Sequence, residues 1–560
     1  WQMRLGGLEV VAEQIGVRLS GPFRQLDMDV SAEARFSGRP AAGILINGGQ
    51  VSLAGNIGYG DDGIRIYPDG CMELRASDMD IQGTQLRPGP VAVCPRADGG
   101  PVLHAVVGDA GLKRIDLAAV LKSTEIALEG AGPYPLSGTL PRFDGTASLD
   151  AERGTWWAKL ASMGGDIRAE GPDIALADVR AEISLEGRES LLGARIDLTS
   201  AVLADKQRPL RMQPLSIKGK GTYQPSALAF DGSAGFTQGP SVHIDARYRV
   251  PDRRGALQLR LPVWNFKTDG VQPQTLLPAL KGVIAEVSGG FGAEARVGWT
   301  GARMSSTAKL HFNDVAFGTS PAEVAGVSGD IAFSDLVTLK TDASQTLKVG
   351  LLDAGLPLRN GVIVFDLPGN DSLHIDSASW PVVGGTLDIK ELSIPFDRPP
   401  DVFVANLKGL DASALARSMD IDGLEADGTL AGSIPIRINE DGPVIDDARI
   451  WSNRRGVLRF RSKVALESLK QSGEMAELLS RALADFRYTE LQVSMDGPLS
   501  GEITAKAKLS GANPALYDGR RIELNVSLQG ALRDLLQSAS VIQDLPGNFL
   551  DSVQRPSGKP

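Results

Sequence analysis

Four histidines, His104, His243, His311 and His374, are the side chains best suited to proton transfer or metal ligation, and they stand far apart. No two have HxH or HExxH spacing, so a zinc or iron centre would need ligands gathered from distant segments. His243 and His311 fall inside alternating segments, where a solvated or structural histidine is the simpler reading. Gly290, Gly292 and Ala295 spell G-x-G-x-x-A after the apolar run Val283 to Val287. A dinucleotide site needs a helix to open there and meet the pyrophosphate. Ala293, Ala295, Val297 and Trp299 instead keep alternating, which predicts a strand–turn–strand.

Carboxylate pairs such as Asp78 with Asp80 and Asp420 with Asp422 share a face if extended, and neighbouring acids can raise a pKa for acid–base work. With 68 acidic residues, such pairs are also expected on any solvated sheet edge. The segment "DMDVSAEARF" lacks the glycine of an EF-hand loop. No G-x-S-x-G elbow occurs, and the terminal "SGKP" has proline where a P-loop needs Ser or Thr. The sequence therefore predicts no catalytic residue, no metal and no cofactor. Cys71 and Cys94 fit no common zinc framework. In a reducing compartment they stay thiols; in an oxidising one they form a candidate disulfide closing about two dozen residues, worth ~3 kcal/mol.

The 58 basic residues against 68 acidic ones give a net charge of −10. No basic stripe is present to displace counterions from phosphates, so nucleic acid is excluded as a partner. Apolar content of 42% excludes a disordered chain. The 65 glycines argue against a helical protein, since each costs ~1 kcal/mol in a helix interior. No run of ~18 apolar residues is long enough to span a bilayer. The sequence opens on Trp1 and is patterned from its start, so it reads as a piece of a longer product.

The elements that must position any site are strands. Period-two alternation runs through Leu26 to Phe36, Val242 to Val250, Leu257 to Val263, Ile434 to Ile438 and Ile522 to Leu528. Asp62-Gly63, Asp69-Gly70, Asp441-Gly442 and Asp518-Gly519 mark turns between such runs, because both residue types accept positive φ. This predicts a mainly β protein built as a long antiparallel meander. Helical spacing predicts an amphipathic helix over 474–486 and a second around Leu532 to Ala539. Shorter candidates are Arg114 to Ser123, Thr275 to Lys281, and Asp411 to Met419 with Asp411 as N-cap. The predicted segments are 1–110, 111–270 and 271–545, with a tail over 546–560. A sheet with one dry face can close as a sandwich or curl into an open trough covered by acyl chains. Patterning alone favours the sandwich, since most half-apolar sheets bury themselves.

The stretches "GVSGDIAFSDL" (326–336), "TLKVGLLDAGLPLRNGVIVFDL" (346–367) and "LHIDSASWPVVGGTLDI" (373–389) resemble the YdbH family of the AsmA-like superfamily. So do "LKGLDASALARSMDIDGLEADGTLAGSIPIRI" (407–438) and "IWSNRRGVLRF" (450–460). The resemblance implies an elongated, twisted antiparallel β-sheet curled into a groove. It implies a periplasmic protein of Gram-negative bacteria that carries phospholipids between inner and outer membranes. Its implied partners are phospholipid, a small outer-membrane lipoprotein adding strands at the C-terminal sheet edge, and the inner membrane through an N-terminal helix not in this sequence. The family's older label, dicarboxylate transport, fits poorly, because no basic cluster here offers a dry site for two carboxylates. Candidate groove-lining residues are Leu257, Leu259, Leu261, Ile434, Ile436, Ile438, Ile522, Leu524, Val526 and Leu528. The alternative reading is a non-catalytic envelope structural or assembly factor whose same residues form a closed β-sandwich core.

Overall fold

The computed structural model describes residues 2–531, apart from 6–7, 22–25, 42–43, 82–83, 109–110, 130–133, 170–172, 189, 225, 320–321, 343, 355, 399, 401, 419–421, 440–441 and 462–480. Strand accounts for 74% of residues and helix for 4%, so the mainly β antiparallel class expected from alternation holds. The chain divides into two units. The first comprises residues 1–264, 268–281 and 292–309; the second comprises 265–267, 282–291 and 310–560. No described helix is long and apolar enough to cross a membrane.

In the first unit, consecutive strands pair antiparallel from Leu8–Ser20 through Leu26–Ala41 to Ile44–Gly60. Along its length Ile44–Gly60 then takes three short partners, Gly63–Pro68, Met72–Ala76 and Met79–Ile81. The long strand Gly111–Glu129 similarly pairs with Leu103–Gly108, Val91–Cys94 and Thr84–Pro88. Two long strands are thus joined through rows of short ones. Cys71 and Cys94 form a disulfide at this junction, beside the Met72–Val93 pair. The meander continues from Leu136–Asp150 to Arg254–Phe266.

The second unit runs from Glu323–Phe333 through four further strands, each paired antiparallel with the next, to Phe403–Asp411. That strand pairs directly with Thr429–Asn439, and the chain between them makes the helix Ala412–Ser418 and the strand Leu424–Asp427. The sheet then continues through Gly442–Ser452, Phe486–Pro498 and Glu502–Ala512 to Ile522–Ala531.

Helix expectations fare unevenly. The helix Ala412–Ser418 forms, with Asp411 Oδ1 accepting the backbone N–H groups of Ser413 and Ala414. These bonds, led by those with Ser413, hold the Asp411 carboxyl below the ordinary carboxylate range. The stretch Thr275 to Lys281 overlaps the end of one α-helical turn, Pro273–Leu276, and holds one turn of 3-10 helix, Pro278–Leu280, each led by proline. Arg114 to Ser123 is not helical: it lies inside the strand Gly111–Glu129, paired on both sides, and ladder bonds on two edges outweigh a short helical period. Phe486 likewise begins a strand rather than ending a helix; 481–483 are helical, 462–480 lie outside the described residues, and so does the candidate around Leu532 to Ala539. Gly290 to Ala295 lie within one continuous strand, Ala285–Thr300, so the expected turn there is absent along with any helix.

The glycines have a second use besides turns. An added Cβ on Gly361 would lie 2.1 Å from the Trp380 indole, and one on Gly255 would lie 2.0 Å from that of Trp299. Phe36 covers Gly49 in the same way. Each ring lies flat over a glycine on a neighbouring strand, which lets a large side chain cover the sheet without pushing it apart. Trp380 is only 2% exposed as a result. Gly361→Val is expected to displace Trp380 and cost the chain about 1–3 kcal/mol from overpacking. The check is denaturant unfolding followed by tryptophan fluorescence, with Gly70→Val, where nothing lies within 4 Å, as the neutral control.

Candidate functional site: the apolar face

The register of the strands decides which side chains share a face, because residues directly opposite each other in a ladder point the same way. In the first unit one such row runs Ala119, Gly145, Leu160, Ile183, Ile196, Gly221, Phe230, Ala246, Leu257. Every position is apolar or glycine. A row on the opposite face runs Glu182, Asp197, Lys220, Asp231, Asp245, Gln258, and every position is polar. Nine strands thus contribute to the dry row, and six of these same strands carry the wet row on their other side.

The second unit repeats the arrangement. Trp380, Leu387, Leu407, Gly432, Ile450, Val493, Ala507 and Val526 form one row. Immediately beside it, Ser379, Asp388, Asn406, Ser433, Arg449, Ser494, Lys506 and Ser527 form a row pointing the other way. The wet row is held by its own polar contacts. Burial pushes the Asp388 carboxyl up, but hydrogen bonds from Ser379 and Lys408 outweigh it and hold the group below its ordinary range. On the core side, burial raises the Tyr488 phenol, whose hydroxyl donates to the Asp427 carbonyl at 2.8 Å.

Eight of the sequence-predicted lining residues fall on the dry face. Leu257, Leu259 and Leu261 of the first unit are half-buried, as are Ile434, Ile436, Ile438, Ile522 and Leu524 of the second. Val526 and Leu528 occupy the same strand, Ile522–Ala531, but their side chains lie outside the described residues. Ile434 and Ile436 pack against a cluster formed by Trp380, Leu387, Leu407 and neighbours, whereas Ile522 and Leu524 pack against Phe486, Tyr488 and Leu509. The three leucines belong to neither cluster.

Sequence reasoning missed residues whose alternation is hidden by small side chains, such as Ala119, Gly145 and Gly432, and the tryptophan that roofs Gly361. It also missed Ile15, Val17 and Leu19 in the strand Leu8–Ser20. These lie opposite Ala32, Val30 and Met28 and are 51%, 54% and 62% exposed. Val263, two residues beyond Leu261, is 50% exposed. The dry faces are thus not sealed throughout: the second unit's holds clusters of buried side chains, and the first unit's early strands carry bare aliphatics. Among the described residues no convergent set of acid, base and nucleophile lies on either face; what they offer is aliphatic surface.

That difference has a measurable consequence. Val17→Ser is expected to change stability by less than about 0.5 kcal/mol, because the side chain is already in contact with solvent. Leu387→Ala, at 7% exposure, is expected to cost about 2–5 kcal/mol. Equal costs in urea titrations of the two variants would show that the early strands are covered after all.

Comparison with known proteins adds one finding. A model of the YdbH-like family, described as intermembrane phospholipid transport protein YdbH, matches residues 76–554. No curated protein and no solved structure matches the chain.

Proposed function

The chain belongs to the YdbH-like family of intermembrane phospholipid transport proteins, and from that premise we propose that it conducts phospholipids along its apolar face as a periplasmic bridge between inner and outer membranes. The observation carrying this reading is the dry face of each unit, with apolar rows unbroken across nine strands in the first and eight in the second, and aliphatics bare to solvent at Ile15, Val17 and Leu19. Moving an acyl chain from water onto such a surface gains ~0.8 kcal/mol per CH₂. The rows offer that gain without hydrogen-bond donors that would fix a head group. Head groups then stay at the wet margin, and the net charge of −10 is no obstacle because no anion has to be gripped.

In this reading Leu257, Leu259, Leu261, Ile434, Ile436, Ile438, Ile522, Leu524, Val526 and Leu528 line the path. Transport rather than catalysis is the work of the fold. The strand Ile522–Ala531 provides the edge at which a small outer-membrane lipoprotein adds strands by β-augmentation. An N-terminal helix outside this sequence tethers the protein to the inner membrane. The second reading, a closed structural core, draws on the cluster around Trp380 and Leu387, whose buried members are each 9% exposed or less.

Lipid extraction and native mass spectrometry of the purified chain separate the two readings. Conduction predicts copurifying phospholipid, and crosslinks to lipid from a photoreactive residue at position 259 or 436. It also predicts that Leu259→Glu or Ile436→Glu lowers bound lipid several-fold while the circular dichroism of the sheet persists. A lipid-free chain that gives no crosslinks, and unfolds with either substitution, is a closed structural core.

A further inference from the structure

On the wet face of the second unit, the hairpin formed by Pro357–Gly369 and Ser372–Val382 carries a cluster that the transport reading does not use. Asp366, His374 and Asp376 are all half-buried, and each offers one ligand atom within 4.8 Å of the others. His374 Nε2 lies 3.4 Å from Asp376 Oδ1. Ser344 Oγ donates to the other oxygen, Asp376 Oδ2, which fixes that carboxylate with Oδ1 turned toward the histidine.

A break in the ladder builds this arrangement. Asp366 pairs with His374 and Phe365 with Ile375, but Val364 pairs with Ser377, leaving Asp376 as the extra residue of a β-bulge. Ile375 and Ala378 consequently both face the core, at 9% and 2% exposure, although they are three residues apart. The strand on the other side accommodates the bulge: Leu392 pairs with Ile375 and Lys390 with Ser377, while Glu391 between them takes a left-handed φ of 51°. Two strands thus depart from regular geometry at the point where the three ligand atoms converge.

We propose that Asp366, His374 and Asp376 form a Zn²⁺ site on the wet face, with a water molecule completing the coordination. One imidazole nitrogen and two carboxylate oxygens suit zinc better than calcium or magnesium, which prefer oxygen alone. Four ligands at ~2.0–2.1 Å in a tetrahedron stand ~3.3 Å apart, close to the His374–Asp376 separation. The positive ion also relieves two carboxylates held side by side. Ser344 is a positioning residue: it touches the carboxylate and not the metal. The site lies across the sheet from the apolar face, so it does not depend on the lipid reading.

The test is a titration of the chelator-treated full chain with Zn²⁺ against a chromophoric competitor. The expected result is one tightly bound equivalent in the wild type and none at that affinity in His374→Ala or Asp366→Asn. Ser344→Ala should weaken binding about tenfold, and His311→Ala, which removes a histidine paired with Asp330, should leave it unchanged. Co²⁺ in place of Zn²⁺ should give the visible absorption of a tetrahedral centre in the wild type alone. A wild type that binds no more Zn²⁺ than His374→Ala, or equal loss in His311→Ala, overturns the site and leaves a histidine–carboxylate ion cluster. The two ligand variants remove different side chains, so a folding defect in one leaves the other to decide.

Discussion

Everything in these units depends on strand register. A β-strand has a side-chain period of two, so a one-residue slip between neighbours would carry every leucine and isoleucine to the wet side. Among the described residues little outside the ladder corrects such an error, because most strands touch chiefly the partners to which they are hydrogen-bonded. The sequence guards the register by making both faces unambiguous at once. Beside the row from Trp380 to Val526 stands the row from Ser379 to Ser527, and a slip would bury Asp388, Arg449 and Lys506 while exposing Leu387, Ile450 and Ala507. Burying even one unpaired charge costs several kcal/mol. Where the ladder does shift, apolar pairing resumes: beyond the irregularity between Ser433 and Ile436, Ile436 sits opposite Ile445.

The scarcity of aromatics and the abundance of glycine follow from the same geometry. A large ring on a long sheet needs room that neighbouring side chains on its face do not leave. Glycine opposite or adjacent provides it, as at Gly361 beneath Trp380 and Gly255 beneath Trp299. Trp299 then also stacks with Tyr248, with centroids 6.4 Å apart. Elsewhere the face is mostly Ala, Val, Leu, Ile and Gly, with isolated rings such as Phe230. Ion pairs on the wet side recur at two-residue spacing, as in Arg247 with Asp245 and Arg449 with Asp447. Exposed pairs of this kind add little stability, but they keep that face hydrated and mark it as the outside of the ladder.

Strand identity and facing were legible in the sequence because both are local. Alternation from Val242 to Val250 and from Leu257 to Leu261 needs no knowledge of partners, and both segments are strands with the expected face inward. The Asp411 cap was legible for the same reason. Illegible features depend on contacts distant along the chain. Arg114 to Ser123 carries a helical period that only pairing on both edges overrules. Rows containing Gly145 or Gly432 read as interruptions until the neighbouring strands are placed beside them. His374 was set aside because no second histidine stands near it in sequence; its neighbours, Asp376 on a bulge and Asp366 across a hairpin, fall together only once the register is known.

In the proposed conduction reading, the degree of burial along the dry face bears directly on how a lipid would move. A fully sealed core would exclude acyl chains, and a fully bare apolar face would invite pairing with another copy of itself. Half-buried aliphatics such as Leu257, Leu259 and Leu261 lie between these limits. An acyl chain leaving such a face sideways loses ~0.8 kcal/mol for every CH₂ returned to water. A chain sliding along it exchanges one aliphatic neighbour for another and returns no net area to water, so the large hydrophobic term cancels from the barrier. Only differences between successive positions remain, and a face made mostly of aliphatic residues and glycine, with few aromatics, limits those differences. A surface without specific contacts therefore holds a lipid against escape while leaving it free to advance, which a conventional binding pocket with fixed hydrogen bonds cannot do.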